Sequence, residues 1–190
     1  IYIGGQGYYI WSYVVSAQSN STGLGQTGTT TYEYTTPCFS VHNNWVNSCR
    51  PPQASHNGGV IGFAKTVVKA WGYDAAELAR TSYYFHQTAN ALQGRTYRAQ
   101  QHNGSTVWQQ SDTTWSTTAF FTGGGGTATF ARADAVQTTD TSGASAVTRR
   151  TEYTYDAYGN ITLELQRGDL ALSGDERRIE RSYHNRDALS

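Results

Sequence analysis

The chain predicts an all-β fold, an antiparallel meander of hairpins, on three observations. Threonine, serine, glycine and tyrosine are abundant while only 15% of residues are charged, so β-forming runs are separated by turn-forming ones. Polar and apolar residues alternate along most of those runs, and no run keeps helical spacing beyond about two turns. Aromatic residues make up 13% of the chain and supply large side chains to a core poor in leucine and isoleucine.

The elements follow in order. Residues 7–16 alternate as a strand, with Tyr9, Trp11, Tyr13 and Val15 opposing Ile10, Ser12 and Val14. Residues 19–25 read as a turn, and 29–35 return with Tyr32 and Tyr34 on alternate positions. A Pro- and Asn-rich loop spans 37–59, a strand 60–71, and Gly72-Tyr-Asp-Ala-Ala-Glu77 reads as a turn or short helical turn. Residues 81–86 pair back, and 87–92 connect onward. The runs 94–101 and 105–115 flank Asn103-Gly104, the strongest short hairpin signal in the chain. Strands over 127–137, 147–155, 160–166 and 176–183 complete about ten to twelve in all.

One hairpin is specified in detail. Thr151, Tyr153 and Tyr155 share one face of a strand, and Ile161, Leu163 and Leu165 share one face of the next. The intervening Asp156-Ala-Tyr-Gly159 fits a type I turn ending in a left-handed residue. Asp156 can accept hydrogen bonds from the turn backbone, and Gly159 adopts positive φ without steric cost. Tyr155 and Tyr153 are then expected opposite Ile161 and Leu163, each pair worth about 0.2–1 kcal/mol.

The run Tyr153, Tyr155, Asp156, Gly159, Asn160, Ile161 and Thr162 resembles the tyrosine–aspartate (YD) repeat of the RHS family. Upstream, Gly62-Phe63, Tyr84-Phe85-His86-Gln87, Leu92-Gln93-Gly94-Arg95 and Thr114-Trp115 resemble the region preceding the repeats in RHS proteins and in B components of insecticidal toxin complexes. The Asp-x-x-Gly turn of the repeat is written once, at Asp156, and residues 1–60 carry none of the pattern. The resemblance implies a β-sheet shell of a large secreted or surface protein, a non-enzymatic wall that encloses cargo or, as in teneurins, mediates cell contact. Its partners would be the remainder of the parent polypeptide or neighbouring copies, met through sheet edges. RHS proteins that cut themselves use a separate downstream aspartate-bearing segment, and none is visible here. On this reading residues 1–60 form an N-terminal hairpin and cystine loop, 61–145 a meander, and 146–190 the YD hairpin and a following strand.

Composition narrows the partners further. The formal net charge is zero, which gives no electrostatic case for nucleic acid or an acidic membrane surface. No apolar run has the length of a membrane-spanning helix, so no membrane insertion is expected. The absence of methionine and the opening Ile1-Tyr-Ile read as a piece of a longer polypeptide. Cys38 and Cys49 are the only cysteines. Their spacing reads as a disulfide pinning a loop, worth roughly 2–3 kcal/mol in the chain-entropy model, and points to an oxidising, extracellular setting. Two free thiols, or a metal site with His42 and His56, are the alternatives, and the spacing matches no zinc pattern.

The residues offer little reaction chemistry. The five histidines, His42, His56, His86, His102 and His184, show no His-Glu-x-x-His spacing. There is no Gly-x-Ser-x-Gly elbow, and the Gly123–Gly126 run lacks the Lys-Ser/Thr of a phosphate loop. Arg167-Gly168-Asp169 spells an integrin-type tripeptide but reads as a hairpin exit. Asn20, Asn103 and Asn160 each begin a glycosylation tripeptide. No catalytic residue, metal or cofactor is predicted. Trp45, among Asn43, Asn44 and Asn47, is the candidate ligand contact. It supports an alternative function, an extracellular carbohydrate-binding or adhesion module with glycans as partner. A self-assembling filament subunit is a further alternative.

Overall fold

The computed structural model describes residues 14–21, 27–40, 47–48, 60–87, 91–123 and 126–183. The fold is all-β: ten antiparallel strands in an open sheet, with the two-residue β3 off its path. The strands are β1 (Ala17–Ser21), β2 (Thr27–Ser40), β3 (Asn47–Ser48), β4 (Val60–Trp71), β5 (Glu77–Phe85), β6 (Thr96–Asn103), β7 (Thr106–Gly123), β8 (Gly126–Asp140), β9 (Val147–Tyr155), β10 (Ile161–Asp169) and β11 (Arg177–Glu180). The chain groups into two compact units, Ile1–Gln110 and Ser111–Ser190.

In the first unit the hydrogen-bonded order is β1-β2-β4-β5-β6-β7, and β3 pairs with β2. Strand alternation and register put Thr31, Glu33, Lys65, Val67, Lys69, Arg80, Ser82, Tyr84, Gln100 and His102 on one face. At its centre Val67 lies opposite Ser82, and these are buried at 7% and 1% exposure. Around them the face is held by polar clasps. Lys69 pairs with Glu33, Arg80 with Glu77 at 2.8 Å, and Trp71 Nε1 donates to Thr31 Oγ1 at 2.8 Å. On the β6–β7 hairpin Gln100 donates to Gln110 at 2.7 Å and Gln101 to Gln109 at 2.9 Å. Successive residues point to opposite faces, so one amide clasp lies on each side of this hairpin.

In the second unit the order is β7-β8-β9-β10-β11. Ala131 and Ala135 of β8 are its buried apolar residues among those described, and Ala135 lies opposite Glu152 of β9. Glu152 in turn binds Arg150 at 2.9 Å and Arg167 at 3.1 Å.

The structure departs from the sequence reading at several places. The Cys38–Cys49 bridge is absent, which overturns the disulfide. Cys38 is a ladder residue of β2 in register with Gly62 of β4, so backbone pairing orders this stretch where a covalent staple was expected; Cys49 lies outside the described residues. Residues 17–21 are strand where a turn was expected from 19. Gly104 rather than Asn103 opens the two-residue β6–β7 turn: it has φ +58°, at the position where a type II′ turn requires glycine. Last, Tyr155 faces Ile161 as expected, but Tyr153 faces Glu164 and Leu163 faces Thr154. Thr162 is inserted as a bulge, its hydroxyl donating to Thr154 O at 3.1 Å, and the register beyond it slips by one residue.

Two hairpin turns share one backbone geometry. At Asp156–Asn160 the Asp156 N–H donates to Asn160 O (3.0 Å) and the Gly159 N–H to Asp156 O (3.2 Å). At Gly72–Ala76 the Gly72 N–H donates to Ala76 O (2.9 Å) and the Ala75 N–H to Gly72 O (3.1 Å). The fourth residue is left-handed in both, Gly159 at φ +87° and Ala75 at φ +59°. Ala75 is the described non-glycine residue with positive φ, and a side chain there costs about 1–2 kcal/mol. Replacing it removes that strain at some entropic cost, so Ala75→Gly is expected to raise stability by about 0.5–1 kcal/mol in a chemical denaturation experiment.

Candidate functional site

The most elaborated site is the β9–β10 turn and what packs against it. Asp156 directly follows β9, with its carboxylate turned back over the turn. One oxygen accepts from the Tyr158 and Asn160 N–H groups, both at 2.9 Å, and the other from Asn160 Nδ2 at 2.9 Å. The Asn160 side-chain bond, followed by the backbone N–H groups, holds the Asp156 carboxyl below its ordinary 3.8. Aspartate is needed here because only a short carboxylate reaches three donors within its own turn.

Gly159 serves twice in this arrangement. Its φ of +87° excludes most side chains, and a Cβ there would sit 3.0 Å from Phe130 Cε1. Phe130 of β8 therefore packs on the bare glycine. Two residues along β8, the Arg132 guanidinium lies 5.5 Å from the centre of the Tyr155 ring. Arg132 Nε donates to Ser116 Oγ at 3.0 Å, and Ser116 donates to Asp134 at 2.8 Å. The Tyr155 hydroxyl donates to Ala133 O at 2.7 Å, and burial is the main cause of its raised pKa. These side chains border a cavity of about 240 Å³, lined among others by Ala119, Phe130, Arg132, Tyr155, Ala157 and Gly159.

The upstream segments also converge, around a different turn in the first unit. The His86 N–H donates to Arg95 O and the Gly94 N–H to His86 O, both at 2.9 Å. Gln87 is 5% exposed and its Nε2 donates to Phe63 O at 2.9 Å. Gly62, at φ +137°, faces the same amide. His86 lies 5.0 Å from the Tyr97 ring, and burial lowers its pKa. Gly62-Phe63, His86-Gln87 and Gly94-Arg95, widely spaced in sequence, thus close one β-turn assembly.

One pairing was not legible from sequence order. Ser82 Oγ and His102 Nε2 are 3.2 Å apart across β5 and β6. Burial, then the Arg80 and Lys65 charges, lowers the His102 pKa. A neutral imidazole against a serine hydroxyl is a nucleophile–base geometry, yet Ser82 is 1% exposed and no substrate atom can reach it. The pair instead satisfies two polar groups at the centre of the sheet face.

The remaining candidates separate clearly. Arg167 is engaged by Glu152, and Asp169 accepts from the Ala171 N–H at 3.1 Å, so the Arg-Gly-Asp side chains belong to their own hairpin. Asn160 Nδ2 is taken by Asp156, whereas Asn103 and Asn20 are exposed. Trp45 and Trp11 lie outside the described residues, as do His42, His56 and His184. Among the described residues no three His, Cys, Asp or Glu side chains converge as a metal site. No protein-family model matches the chain, and no curated protein matches it.

Two outcomes test the turn. Gly159→Ala is expected to lower stability by about 1–3 kcal/mol, from left-handed strain and displacement of Phe130, read by denaturant unfolding. Because the folded pKa of Asp156 is depressed, its contribution is present above the unfolded value near 4 and is lost as pH falls through the lower folded value. Thermal midpoints measured from pH 6 to pH 2 should therefore decline less steeply in Asp156→Asn than in the parent.

Proposed function

We propose that this chain is a non-enzymatic structural segment of a secreted or surface YD-repeat protein, one stretch of a β-sheet wall. The observation that carries the reading is the Asp156–Asn160 clasp with Phe130 packed on Gly159. Tyr155, Asp156, Gly159, Asn160 and Thr162 of the written motif each have a structural task there. The same pattern of backbone hydrogen bonds recurs at Gly72–Ala76, where the sequence does not carry the motif.

Burial supports the same reading. Among the described residues Val67, Ala131 and Ala135 are the buried apolar ones, while Leu163 and Leu165 are half-exposed and Leu78, Leu170 and Leu172 exposed. A sheet with both faces this open gains its cover from another layer. On this proposal the cover is the remainder of the parent polypeptide, and the wall acts by excluding solvent from what it encloses.

Intact mass and terminal peptide mapping of the protein from its native source provide the test. The proposal expects peptides continuing past Ile1 and Ser190 into further Tyr-Asp hairpins. A native polypeptide bounded by those two residues would overturn it and favour an independent binding domain.

A further inference from the structure

The cavity beside the β9–β10 turn has chemistry that a wall does not require. It lies wholly within the second unit, and its volume of about 240 Å³ is below the ~300–1,000 Å³ of sites for drug-sized ligands. Two of its sides are aromatic, Phe130 and Tyr155, and two positions carry only methyl groups, Ala119 and Ala157. Phe130 remains 39% exposed although its ring rests on Gly159.

The polar lining comprises Thr118, Asp156 and Arg132, and Arg132 is its cation. Its Nε is committed to Ser116, and its plane is held near the Tyr155 ring. Among the described residues the two terminal amino nitrogens make no hydrogen bond, and the guanidinium is anchored through Nε. A planar, oriented pair of N–H donors beside an apolar wall matches a carboxylate that carries an apolar body. The two neighbouring acids do not occupy that fork. Asp134 approaches the Nε side at 3.5 Å and accepts from Ser116, and both Asp156 oxygens are taken by the turn.

We propose that this cavity is a binding site for a small carboxylate attached to an aromatic or short apolar group. The carboxylate meets the Arg132 amino groups, and the apolar body lies against Phe130 between Ala119 and Ala157. The proposal stands apart from the wall reading, since a scaffold and a free-standing domain could each carry the site.

Phenylpropanoate is a suitable probe, followed by ring-proton and methyl NMR shifts of Phe130, Tyr155 and Ala157 in the full chain. Saturable shifts at these residues are expected, with at least tenfold weaker binding for phenylpropanamide, which lacks the charge. Arg132→Gln should cause the same loss. Arg132 also braces Ser116 and Tyr155, so a second variant, Ala157→Leu, fills the cavity from an exposed turn position and should abolish the shifts with the fold intact. Absence of saturable shifts, equal binding of acid and amide, or unchanged binding in Ala157→Leu would each overturn the proposal. So would shifts of these residues with methyl glucoside and none with phenylpropanoate, an outcome that assigns the cavity to a sugar.

Discussion

Register is the constraint on which the rest of this structure depends, and the turns hold it. A one-residue slip in a strand exchanges its two faces, and a large buried face normally forbids that. Here the described faces bury only a valine, two alanines, a serine and a glutamine. The apolar penalty for slipping is correspondingly small. The turns supply what the core does not: a left-handed residue at the fourth position, with two backbone hydrogen bonds closing each loop at Gly72–Ala76 and Asp156–Asn160.

Side-chain clasps repeat that specification along the strands. Gln100 with Gln110, Ser82 with His102, Glu152 with Arg167 and Glu164 with Arg181 each join neighbouring strands in one alignment. Most are half-exposed, and such pairs contribute little stability singly. A slip by one residue would nevertheless break all those of one ladder together. The sheet is therefore specified more by polar geometry than by apolar burial, as suits a chain whose charged residues are few and whose amides and hydroxyls are many.

How much of this was legible follows from the residues concerned. Strands β4 and β9 have the bounds expected from the sequence, because each is flanked by turn-formers. The Asp156 turn was legible because aspartate and glycine each have one evident use in it. The Gly72–Ala76 turn was legible only as a turn: Ala75 holds a backbone conformation that its side chain disfavours, so its sequence does not advertise the geometry. The bulge at Thr162 was hidden because threonine fits the strand pattern on either face. The cystine was misread because two cysteines across a polar stretch look like a pinned loop, whereas Cys38 continues a fourteen-residue strand. The cavity could not be read at all. It joins β7, β8 and the β9–β10 turn, and only the fold brings them together.

Arg132 shows why position in the fold decides what a residue can do. In sequence it is one arginine among many, in a run of alanines that reads as strand filler. In the structure the Tyr155 ring lies beside it, Ser116 fixes its Nε, and it borders a cavity with the small residues Ala119 and Ala157. Glu152 and Glu164 show the opposite case, with Arg167 and Arg181 closing onto their carboxylates. The same bare glycine that lets the Asp156 turn form also seats Phe130, and Phe130 forms a wall of the cavity. The device that sets the register thus also shapes the concavity and places one oriented cation at its edge.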